Sequence, residues 1–122
     1  MTANEDKDSK LVEGIFNELL NSIEYKTDTA DQKLIQRAFS LAKDAHKGVH
    51  RKSGEPYITH PLAVAQIVAT EIGLGPTSIA TALMHDVVED SDYTLMDIEN
   101  MFNPSIARLI DGLTKISGVV SM

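Results

Sequence analysis

The sequence contains no cysteine, and only four of its 122 residues are histidines. The lack of cysteine excludes disulfides and thiolate metal sites, and nothing else in the composition argues for export. Long apolar runs are also missing. No stretch approaches the ~18 residues of a membrane span, and the polar start MTANEDKDSK lacks the apolar core of a signal peptide. Period-two alternation, internal repeats and low-complexity segments are absent as well. Together these absences predict a cytoplasmic, strand-free chain with no membrane segment.

The remaining composition is that of an ordinary folded domain, with 43% hydrophobic and 24% charged residues. A chain of this length supports one modest core. The formal net charge of −7 argues against direct nucleic-acid binding. Its distribution is uneven. Four of the eleven basic residues fall in KDAHKGVHRK (43–52), and six of the eighteen acids fall between Asp86 and Glu99. Such clusters are commonly solvated faces, but a basic segment near an acidic one also suits an anionic ligand bridged by a metal.

Helical periodicity runs through most of the chain. The first ten residues are polar and read as a flexible end. Leu11, Val12, Ile15, Phe16, Leu19, Leu20 and Ile23 then mark one amphipathic helix. Leu34, Ile35, Ala38, Phe39, Leu41, Ala42 and Ala45 mark a second, stopped near Gly48. GVHRKSGEPYI is punctuated as a loop. THPLAVAQIVATEIG reads as a helix capped by Thr59 or His60, with Pro61 in its first turn. Another helix is expected from about Thr77 to Glu89, and LMDIENMFN and PSIARLIDGLTKI supply two more. The fold class is therefore all-α, with about six helices.

The segment HDVVED (85–90) carries the chemistry. It loads four ionisable side chains onto an otherwise apolar helix, where burial without partners costs several kcal/mol each. On a continuous helix His85 and Glu89 share one face, and Asp86 and Asp90 point about 100° round from them. His85 and Asp86 can both reach one ion placed between their directions. Imidazole with carboxylate suits Mn, Fe, Zn or Mg, and open water positions favour the harder octahedral ions. Glu89 and Asp90 are placed to orient or deprotonate a water at that ion. His60 is separated from His85 by one helix and a Gly-Pro turn, so an antiparallel pair brings it to the same place. In the loop, Arg51 can stack on a purine or fork onto a phosphate, and Lys52 is a mobile point charge. Ser53 and Gly54 allow hydroxyl and backbone donors to approach a ligand.

AHKGVHRKSGEPYITHPLAVA, then TALMHDVVEDSDYTLMDIE, then LIDGLTKI, resembles the N-terminal HD hydrolase domain of the Rel/Spo stringent-response family. The likeness covers about Ala38 to Ser117. It implies an HD-domain helical bundle, and hydrolysis of the 3′-pyrophosphate of the alarmones ppGpp and pppGpp to GDP or GTP, with Mn²⁺ as the usual metal. By motif match, His60, His85 and Asp86 are the implied metal ligands and Glu89 and Asp90 the implied catalytic pair. Arg51, Lys52 and Ser53 are the implied guanosine-nucleotide contacts, with Lys115 as a further phosphate contact. The family's usual Thr after the acidic pair is Ser91 here.

The family completes its site with a further Asp on a later helix, and only 36 residues follow Asp86 here. None of Asp90, Asp92, Asp97 or Asp111 matches that ligand. Residues 11–122 therefore read as the N-terminal part of such a domain, with its closing helices absent, and the apolar ISGVVSM as a stop inside it. Three ligands would hold a metal more weakly than four, and uncovered apolar surface would favour self-association. Two functional expectations follow: an alarmone hydrolase, or part of a bifunctional GTP pyrophosphokinase/hydrolase that binds nucleotide without turnover on its own.

Overall fold

Among the described residues, apolar residues recurring every three to four positions give seven α-helices and no strand. The structure is a computed structural model describing the backbone of residues 2–121 and the side chains of residues 2–116. The helices are α1 (Ala3–Ile23), α2 (Thr29–Ala45), α3 (Thr59–Gln66), α4 (Pro76–Met84), α5 (Val87–Asp90), α6 (Leu95–Met101) and α7 (Pro104–Ser121). Six of them span seven residues or more, and α5 is a single turn. Most of the apolar tail ISGVVSM lies outside the described side chains.

Local signals explain most boundaries. The Asp28 side chain accepts from the backbone of Asp31, which reciprocates, so a capping box starts α2. Thr94 and Asp97 do the same for α6. Pro76 occupies the first turn of α4. Gly48 and Gly73 take positive φ, 78° and 80°, just beyond the helical segments they end. After Gln66 the helix continues as a π-helical segment, Ile67–Ile72, and the Lys26 ammonium donates to the Ala69 carbonyl there.

Three boundaries differ from the sequence reading. Residues 3–10 are helical, not a flexible end: the Thr2 hydroxyl accepts from the Glu5 amide, and Glu5 and Asp6 sit favourably in the first turn. Neither Thr59 nor His60 caps α3. Both lie within its first turn, and the Thr59 hydroxyl donates back to the Pro56 carbonyl at 2.8 Å. The helix expected from Thr77 to Glu89 is broken at His85–Asp86, where Asp86 leaves helical geometry at φ −113°, ψ 7°.

α4 is the centre of the packing. Every residue from Ile79 to Met84 is buried, and the helix lies chiefly against α2 and α3, with α7 alongside. α1 covers α3 and its π-helical extension through Val12, Phe16, Leu19 and Ile23. The rings of Phe16 and Phe39 stack at 3.9 Å with a 9° interplanar angle, joining α1 to α2. On the other side, Leu109, Leu113 and Ile116 of α7 are exposed, as are Ile67, Ile72 and Leu74. Val64, Val68, Leu74, Leu109 and Leu113 line a 330 Å³ cleft with His85 at its edge.

Because Phe39 is buried in the stack, Phe39→Ala removes both transferred area and the ring's contacts. It should destabilise the fold by about 3–5 kcal/mol in urea unfolding. A loss under about 1 kcal/mol would mean that the Phe16–Phe39 pair does not hold α1 to the bundle.

Candidate functional site

The break in the α4–α5 helix shapes the site. Once α4 ends at Met84, the Ala82 carbonyl accepts from the His85 side chain, with Nδ1 at 2.7 Å. A carbonyl only accepts, so His85 Nδ1 carries a hydrogen, and in the neutral ring Nε2 keeps its lone pair. That nitrogen lies 3.9 Å from Asp86 Oδ2. The edge of one imidazole meets the face of the next between His60 and His85, with centroids 5.8 Å apart and planes at 70°. The structure thus brings His60, His85 and Asp86 together, from the first turn of α3 and the end of α4.

Asp86 is 7% exposed, one of three buried polar residues among those described, with His46 and Thr81. Burial pushes its carboxyl up, but hydrogen bonds from His46 and Tyr57 and the nearby His85 outweigh that and bring it down to about 2. His46 Nε2 lies 3.2 Å from Oδ1, and the Tyr57 hydroxyl donates to Oδ2. Burial, followed by the same carboxylate, holds the Tyr57 hydroxyl well above its ordinary value, so it remains a donor. At His60, burial and then His85 lower the imidazole below 6.5 and favour the neutral ring.

This donor set suits a divalent cation: two imidazoles and an ionised carboxylate, the His85 ring oriented by a backbone carbonyl. The side chains are grouped but not yet convergent. Among the described residues, no three His, Asp or Glu side chains meet at one metal-binding point.

The loop 49–57 folds back on itself instead of running free. Arg51 N–H donates to the Glu55 carbonyl at 2.9 Å, Tyr57 N–H donates to the Val49 carbonyl at 2.8 Å, and His50 bridges to Pro56. Gly54, at φ 103°, makes the reversal possible. The tip presents Arg51, Lys52 and Ser53 to solvent, and the Arg51 charge acts on both Tyr57 and His60. Arg51 pairs with Glu55 at 3.7 Å. The loop is also tied to α1, because His50 Nε2 lies 2.8 Å from Asp8.

Glu89 and Asp90 are exposed on α5, and the Asp90 charge acts on Tyr57. Across the break the Asp90 N–H still donates to the Asp86 carbonyl at 3.0 Å. Lys115 pairs with Asp111 at 3.0 Å on α7.

His46 and Tyr57 escape the sequence reading. Their partner is 40 and 29 positions away, and His46 stands among lysines in a segment that reads as basic. A signal was present. His46 lies four residues beyond Ala42, continuing the stripe of Ile35, Ala38, Phe39 and Ala42, so it falls on the buried face of α2.

Comparison with known proteins identifies the family. A model of the HD domain matches residues 38–122. A GTP pyrophosphokinase of Streptomyces coelicolor is 45% identical over 94 residues, 77% of this chain and 11% of that protein. The bifunctional (p)ppGpp synthase/hydrolase SpoT of Escherichia coli K12 is 48% identical over 84 residues, 69% of this chain and 12% of that protein. A guanosine-3′,5′-bis(diphosphate) 3′-pyrophosphohydrolase of Vibrio cholerae is 46% identical over 93 residues, 76% of this chain and 13% of that protein. The chain belongs to the HD-domain family, in its Rel/Spo branch. It spans only about an eighth of the length of these relatives.

Two NMR experiments check the local contacts. In metal-free protein at neutral pH, long-range nitrogen NMR should find His85 protonated on Nδ1, and the opposite tautomer would contradict the Ala82 bond. The hydrogen bond to Asp8 raises the His50 imidazole above 6.5, with a smaller backbone contribution from Gly48. The contact therefore stabilises the fold below the unfolded imidazole's pKa and is lost as pH rises through the raised folded value. Asp8→Asn should return the His50 titration, followed by NMR, toward its ordinary range.

Proposed function

We propose that this chain supplies the metal-binding and nucleotide-binding part of an HD domain that hydrolyses the 3′-pyrophosphate of ppGpp and pppGpp in the cytoplasm. The grouping of His60, His85 and Asp86 beside the loop of Arg51, Lys52 and Ser53 carries this reading. His60, His85 and Asp86 would hold the divalent cation, Mn²⁺ being the best match. Bound there, the cation supplies positive charge against the phosphates and acidifies a nearby water.

The chain's own residues account for the other requirements. Arg51 and Lys52 neutralise phosphate charge, the Arg51 plane stacks on guanine, and the Ser53 hydroxyl donates to the ligand. Glu89 and Asp90 orient the attacking water and take its proton. The water oxygen bonds to the phosphorus attached to the 3′ oxygen, and the bond between that phosphorus and the 3′ oxygen breaks. Pyrophosphate and GDP or GTP leave, the 3′ oxygen receiving a proton.

A second reading has its own support, because the three donors are near one another without converging on one point. Under it, this chain binds the alarmone without turnover, as part of a longer bifunctional enzyme.

Product release from ppGpp with and without Mn²⁺ separates the two readings. The hydrolase reading expects Mn²⁺-dependent GDP formation that His85→Ala abolishes together with metal binding. Glu89→Gln should lower turnover by about 10²–10⁴-fold and leave metal binding intact. Mn²⁺-dependent turnover retained in His85→Ala would overturn the placing of that hydrolysis at the His60, His85 and Asp86 cluster. Saturable ppGpp binding without product, lost on replacing Arg51 and Lys52 by alanine, would establish the second reading.

A further inference from the structure

Both oxygens of the Asp86 carboxylate are engaged by residues outside the proposed ligand set. His46 Nε2 approaches Oδ1 at 3.2 Å from the C-terminal end of α2, and the Tyr57 hydroxyl donates to Oδ2 from the foot of the 49–57 loop. An ionised carboxylate only accepts, so the His46 Nε2 must carry a hydrogen. One hydrogen bond leaves a carboxylate free to turn about its Cβ–Cγ bond. Two, made to separate oxygens from separate elements, hold its plane.

The two donors are themselves held. The His46 ring is 4% exposed and packs on Tyr57, with centroids 4.7 Å apart. Tyr57 in turn lies 5.9 Å from the His60 ring. An apolar side chain would fill the His46 position on the buried face of α2 without the desolvation of an imidazole. The imidazole is explained by what it does for Asp86.

We propose that His46 and Tyr57 are positioning residues that fix the Asp86 carboxylate, aiming its remaining lone pairs toward the side on which His60 and His85 lie. This rests on Asp86 being a metal ligand, as proposed above. Outer hydrogen-bond partners of ligands commonly alter metal affinity by about 10- to 100-fold when removed. Tyr57 adds a second consequence: the same residue that orients Asp86 closes the loop bearing Arg51, Lys52 and Ser53 through its own backbone bond to Val49.

The test is Mn²⁺ affinity of the full chain, by calorimetric titration with MnCl₂, alongside thermal unfolding to establish that each variant is folded. His46→Leu should weaken Mn²⁺ binding by about 10- to 100-fold, and His46→Gln, whose amide can occupy the Nε2 position, should restore most of it. Tyr57→Phe, which removes one hydroxyl and keeps the ring, should weaken binding about tenfold and serves if His46→Leu does not fold. Wild-type affinity in folded His46→Leu and in Tyr57→Phe would overturn the positioning role while leaving the metal site standing. Equal loss in His46→Gln and His46→Leu would also overturn it, because the imidazole would then act as a ligand itself. Absence of Mn²⁺ binding by the wild-type chain would instead remove the metal-ligand reading of Asp86 and this role with it.

Discussion

A buried, ionised Asp86 is the constraint around which this bundle is organised. A carboxylate placed among α2, α4 and the 49–57 loop is tolerable only if both oxygens find donors, and those donors come from two other parts of the chain. The requirement explains a histidine at position 46, which arrives on the buried face of α2 at its C-terminal end. It fixes the fold of the loop, since Tyr57 must reach the same group. It also interrupts the helix at His85–Asp86, so that the backbone turns and both side chains enter one cluster.

Much of this architecture follows from patterns visible in the chain. The buried residues of α1 and α2 all fall within the apolar stripes, though Leu11 is exposed, and Gly and Pro punctuation marks the end of α2, the end of the π-helical segment after α3, and the start of α4. The approach of His60 to His85 accompanies the packing of α3 on α4 across the Gly-Pro turn. Departures arise where a local contact overrides periodicity. Thr2 and its acidic neighbours carry α1 across residues that look too polar to be ordered. The Asp86 network breaks a helix whose periodicity runs straight through it. His46 and Tyr57 contribute through partners far away in sequence, and spacing along one element carries no information about such pairs.

Electrostatics and packing meet in the 49–57 loop. Its short reversal presents three polar side chains at the tip, while its two ends are anchored: His50 to Asp8 on α1, and Tyr57 to Asp86. A surface segment of this kind holds its shape through its anchors more than through its own few backbone bonds. The basic tip and the buried carboxylate are thereby parts of one mechanical unit.

The interruption at His85–Asp86 has a consequence for how such a site can diversify. With one continuous helix, any tilt that moved the acids would move the imidazole and the carboxylate with them. Here α5 is a single turn with Val87 as its buried residue, separated from the rigid body of α4 by a non-helical Asp86. Glu89 and Asp90 stand on this single turn, whose Asp90 N–H donates to the Asp86 carbonyl at 3.0 Å. In the proposed site, the imidazoles and the carboxylate are thus set by the packed bundle, and the acidic pair by a single turn of helix.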